Sequence, residues 1–96
     1  MDRDQILSAI QQNQPELTNL GVKSLAVFGS VARGEATVES DIDILVAFHG
    51  PVTFDRYMDL KIFLEDLLGC PVDLVISDVL HPRVKPYVEQ DAVYVA

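Results

Sequence analysis

The chain has 96 residues, of which 49% are hydrophobic and 23% charged, with 15 acidic and seven basic side chains and a net charge of −8. That length holds one hydrophobic core, read here as one domain over residues 1–96, and leaves no room for separate catalytic and substrate-binding domains. The composition excludes disorder, no apolar run approaches the roughly 18 residues of a membrane span, and the acid excess argues against direct nucleic-acid binding, which needs a basic surface.

The acids are spread evenly: seven against three bases up to Phe48, then eight against four. Such a surface suits divalent cations and a basic protein partner. The start, Met1-Asp2-Arg3-Asp4-Gln5, is polar and has no apolar signal core, so a cytoplasmic location is expected. One cysteine, Cys70, rules out an internal disulfide; between Gly69 and Pro71 it reads as a small, inert strand-entry residue.

Along the chain, Asp4 to Gln14 places Ile6, Leu7 and Ile10 on one helical face, with Asp2 or Asp4 as cap and Pro15 as interruption. Val22 to Phe28 reads as a strand after Gly21. Gly29 through Ser40 is a turn with one short helical stretch. Asp41 to Phe48 is a second strand, with Ile42, Ile44, Val46 and Phe48 on one face by period-two alternation. Phe54 to Leu68 is the clearest helix, stopped by Gly69, and Phe54, Tyr57 and Phe63 are expected in its core-facing stripe. Val72 to Ile76 is a third strand. A short helix over 82–90, despite Pro86, and a last strand over 92–95 complete an α/β (α+β) sandwich with a small mixed β-sheet.

The chemistry concentrates in two places. Asp41 and Asp43, two apart on a strand, point to the same side while Ile42, Ile44 and Val46 anchor the other. Carboxylates that close repel each other, and a magnesium ion relieves the repulsion while keeping positions open for phosphate oxygens. Asp73 is the lone charge in an apolar strand, costly there unless paired or metal-bound. If that strand lies beside Asp41–Phe48, Asp73 completes a triad able to hold two metals. At the end of the first strand, Gly29 lets the backbone approach a ligand, Ser30 adds a hydroxyl donor, and Arg33 adds a charge suited to phosphate. Taken singly, each feature has a plain structural reading: a solvated strand end, a Gly-Ser turn, or a charge guarding an edge strand. Their conjunction argues for chemistry.

The run Gly29-Ser30-Val31-Ala32-Arg33-Gly34, followed after ten intervening residues by Asp41 within Ser40-Asp41-Ile42-Asp43, resembles the signature of the DNA-polymerase-beta-like nucleotidyltransferase superfamily. The compact length and the Ala-Arg-Gly after the serine resemble the minimal nucleotidyltransferases, the antitoxin halves of HEPN/MNT toxin–antitoxin pairs. The resemblance implies a nucleotidyltransferase-like fold, with Asp41, Asp43 and Asp73 as catalytic metal ligands and Gly29, Ser30, Arg33 and Ser40 at the nucleotide. It further implies an enzyme using ATP and magnesium, two ions in all, to transfer AMP to a tyrosine hydroxyl of a cognate HEPN ribonuclease toxin, with the two proteins meeting as a hetero-oligomer.

Two alternatives stand beside this expectation. One is a binding antitoxin that blocks its toxin sterically; the other is nucleotidyl transfer to a small molecule, which would need a helical region that 96 residues cannot supply alone. His81, Arg83, Lys85 and Tyr87 read as a solvated helix face or as a basic edge near the nucleotide, and His49 as loop surface.

Overall fold

The computed structural model describes residues 2–32, 41–77, 82, 83 and 85–95, with only the backbone at Ser30 and Val31. Helix α1 (Arg3–Gln11) begins with a capping box: Asp2 Oδ1 accepts from the Gln5 amide at 2.9 Å, and the Asp2 amide donates to Gln5 Oε1 at 3.0 Å. Asp2, rather than Asp4, is therefore the cap. Pro15 does not merely interrupt this helix but opens a second, α2 (Gln14–Asn19). Proline has no amide to donate and its fixed φ suits a first helical turn, so it can start what it cannot continue.

Strand β1 (Val22–Phe28) leads into a four-residue helical turn, α3 (Gly29–Ala32). Strand β2 (Ile42–Phe48) follows, then helix α4 (Phe54–Leu68) and strand β3 (Val72–Ile76). Helix α4 is held at both ends. Thr53 Oγ1 accepts from the Arg56 amide at 3.2 Å, and Gly69, at φ 70°, takes the left-handed conformation that ends it. Helix α5 (Lys85–Asp91) tolerates Pro86 because that residue falls in its first turn, and β4 (Val93–Tyr94) closes the order.

The sheet runs β3-β2-β1-β4, with β1 antiparallel to both β2 and β4 and β2 parallel to β3. A register shift between Val22 and Ser24 adds one residue to β1, so Val22 and Leu25, three apart, both reach the core. One face of the sheet carries Leu25, Val27, Ile42, Ile44, Val46, Phe48, Val72 and Leu74, packed with Ile6 and Ile10 of α1, Leu17 of α2, and Leu60, Leu64 and Leu68 of α4. Burying each such side chain contributes roughly 1.5–3 kcal/mol. The alternation expected for β2 therefore holds, and the acids at its start lie off the core face.

Phe54 departs from expectation. It is 77% exposed, whereas Tyr57 and Phe63 pack against the core. At the first residue of α4, Phe54 lies beyond the stretch of helix that Leu60, Leu64 and Leu68 press onto the sheet. At the end of the sheet where β1 starts and β2 stops, the Arg56 guanidinium lies 5.3 Å from the Phe48 ring centre and donates to the Gly21 and Pro51 carbonyls. That end is closed by structure, and the opposite end carries the polar residues. No helix among the described residues is long and apolar enough to cross a membrane.

Candidate active site

The opposite end is where β1 stops and β2 and β3 begin. Antiparallel pairing sets Phe28 against Asp43, and parallel pairing sets Asp43 against Asp73. Since the neighbours of each aspartate (Ile42 and Ile44, Val72 and Leu74) face the core, both carboxylates lie on the other face. Adjacent strands are about 4.8 Å apart, so the two side chains are direct neighbours. Asp41, exposed, sits on the residue before β2, where the Ile42 amide donates to the Pro71 carbonyl at 3.1 Å and ties the two strand starts together.

The Gly29 turn reaches the same place. Gly29 has φ 71°, and a Cβ built on it would run into the Asp43 carboxyl, with Asp43 Cγ only 3.1 Å away. Both the backbone conformation and the close approach require glycine. The turn after β1 is thus packed directly on the first carboxylate of the carboxylate pair.

Asp73 is exposed. The expectation that it is costly inside an apolar strand therefore fails: its side of β3 is open, so water solvates the charge, and only its strand neighbours are buried. Among the described residues no group of three or more His, Cys, Asp or Glu side chains that could hold a metal ion is formed. Strand register sets Asp43 and Asp73 side by side, and among the described residues no third such side chain joins them. The donor type, adjacent carboxylates with no nitrogen or sulfur among them, fits a hard divalent cation with oxygen preference. Arg33 and Ser40 lie outside the described residues, as do Gly34 and His81, and of Ser30 only the backbone is described.

Three contacts were missed in the sequence. The guanidinium of Arg3 donates to the Ala32 carbonyl at 3.2 Å, fixing the end of α3 from α1. On the outer side of β3, Tyr57 and Lys61 of α4 donate to the Leu74 and Val72 carbonyls. The only sequence signal for the last two is their spacing of four along a helix, which puts them on one stripe. Cys70 is half-buried beside β3, and burial pushes its thiol up, with the Asp41 and Glu65 carboxylates adding in the same direction. In the C-terminal stretch, Arg83 and Tyr87 are exposed and Lys85 pairs with Glu89 at 3.9 Å, which agrees with a solvated helix face.

A family model described as a nucleotidyltransferase domain matches residues 3–95. The chain belongs to this family. It is 39% identical over 93 residues to the protein adenylyltransferase MntA of Thermococcus cleftensis, covering 96% of this chain and 94% of that one. It is 48% identical over 75 residues, 77% of this chain and 76% of the other, to a candidate protein adenylyltransferase of Methanocaldococcus jannaschii. A solved candidate minimal nucleotidyltransferase superposes with a TM-score of 0.86 at 39% identity, covering 97% of this nucleotidyltransferase and 95% of that chain. A toxin–antitoxin structure solved with AMP-PNP shares the fold at a TM-score of 0.71 and 22% identity, over all of this chain and 73% of that one.

Proposed function

We propose that this nucleotidyltransferase is a protein adenylyltransferase that moves AMP from ATP to a hydroxyl of a partner protein, a HEPN toxin, and so acts as its antitoxin. The observation that carries the reading is the packing of Gly29 on Asp43 with Asp73 in register beside it. A phosphate-approaching turn and paired carboxylates at one open end of a sheet are the parts that phosphoryl-group chemistry needs. A relative named for protein adenylylation, similar over nearly the whole chain, supports it.

In this reading Asp41, Asp43 and Asp73 would hold magnesium, as two ions. When bound, the cation offsets triphosphate charge and acidifies the attacking hydroxyl. The backbone at Gly29 and Ser30 lies along the phosphates, and Arg33 and Ser40 complete the nucleotide contacts. The acceptor oxygen attacks the α-phosphorus as the bond from that phosphorus to the bridging oxygen breaks. Pyrophosphate leaves, and the hydroxyl proton passes to Asp73 or its neighbouring aspartate. The rigid core face behind β2 and β3 keeps these carboxylates in place, which is most of what the protein contributes. No pocket for a second substrate is required, because the acceptor arrives on its own folded protein, and the net charge of −8 favours a basic one.

The test is to incubate the chain with ATP, magnesium and the protein encoded beside it, and to weigh the partner intact. Addition of one or more AMP groups is expected, and Asp41→Ala/Asp43→Ala should abolish it. A partner of unchanged mass, or one modified equally well by the double variant, sinks the reading.

A further inference from the structure

Among the described residues β3 is an edge strand, yet its outer side is not open. Pro71 and Asp73 point their backbone groups toward β2, so those of Val72 and Leu74 point outward. Three side chains of α4 meet them. Tyr57 Oη donates to the Leu74 carbonyl at 2.8 Å, Lys61 Nζ donates to the Val72 carbonyl at 2.6 Å, and Glu65 Oε2 accepts from the Val72 amide at 3.0 Å. Lys61 and Glu65 also pair with each other at 3.8 Å, both about one-third exposed. The three residues stand four apart and form one stripe along the helix.

Their bonds fall on both neighbours of Asp73 and on no other residue of the strand. We infer that Tyr57, Lys61 and Glu65 are positioning residues for Asp73, a side-chain strap on the outer edge of β3 that fixes the third carboxylate of the site. The inference rests on the proposed role of Asp73 in adenylyl transfer. An edge strand held on one side alone can twist or slide, and a carboxylate that must share a cation with Asp43 tolerates little of either. The strap lies on the far side of β3 from β2, and its bonds to the strand go to the Val72 and Leu74 backbone. It acts only by holding the Asp73 backbone.

The test uses the full chain with Tyr57→Phe, which keeps the ring and loses the hydroxyl, Lys61→Met, which keeps the stem and loses the donor, and Lys61→Arg as a conservative rescue. Two readouts are taken on folded protein: Mn²⁺ affinity of the chain alone by electron paramagnetic resonance, and kcat against KM for ATP in AMP transfer. Tyr57→Phe and Lys61→Met should each weaken Mn²⁺ binding and lower kcat by about tenfold, the scale of losses seen when groups supporting metal ligands are removed. KM for ATP should move less than about twofold, and Lys61→Arg should restore both losses. If Tyr57→Phe and Lys61→Met melt earlier but bind Mn²⁺ and turn over as the parent does, the strap is purely structural and the inference is overturned. Asp73→Asn, run in parallel, separates the two levels. Undiminished AMP transfer by that variant removes the role of Asp73 itself, whereas its loss with intact strap variants removes only the strap.

Discussion

The two faces of the β-sheet are built to opposite rules at the same residues of the same strands. On one face Leu25, Val27, Ile44 and Val46 are fully buried under α1 and α4. On the other stand Asp43, next to Ile44, and Asp73, between the buried Val72 and Leu74, beside a glycine turn that leaves no space for a methyl group. Further along the strands that second face also buries Ala26 and Leu45, so its polarity is confined to the end where β2 and β3 begin. The contrast teaches that stability and chemistry are separable here. The core face supplies the rigidity, and the site end carries the carboxylates.

That separation can be broken most strongly by substitution on either side of one bond. Ile44→Ala should cost about 2–5 kcal/mol in urea unfolding, a large part of a small domain's stability. Asp43→Asn, one residue earlier, should shift stability by under about 1 kcal/mol while lowering AMP transfer by on the order of 10²–10³. Equal stability losses from the two would mean that the faces are not independent. Gly29→Ala tests the seam between them. The left-handed backbone and the contact with Asp43 should together cost about 1–3 kcal/mol, with AMP transfer impaired by more than the loss of folded protein explains. The smallest effect concerns Cys70. Because burial pushes its thiol up, iodoacetamide at pH 8 should label the native chain more slowly than the urea-unfolded chain. The sign of the linked stability follows: the neutral thiol is favoured in the folded state, so its contribution is full below the ordinary thiol range and is lost as pH rises through the raised folded value.

Much of this was legible from local pattern. The limits expected for β1, α4 and β3 coincide with those observed, because hydrophobic periods of 2 and 3.6 and the Gly69 stop act within a few residues. The same alternation put Asp43 off the core face, whereas Asp41, expected inside the strand, stands on the residue before it. Phe54 misled because a helical stripe does not reveal where the sheet beneath it ends. Pro15 misled because proline ends one helix and starts another with the same ring.

Local pattern therefore set the elements, the side of β2 on which Asp43 stands, and the need for glycine at a turn. Long-range packing set the parallel pairing of β3 with β2 that puts Asp73 level with Asp43, the exposure of Asp73, and the bonds by which Tyr57, Lys61 and Glu65 meet the strand's outer edge. The physical reason is the range of the forces involved. Alternation and capping are encoded in neighbouring residues, whereas the choice of strand partner and register is made by which arrangement buries the apolar face and pairs the backbone groups at the edge.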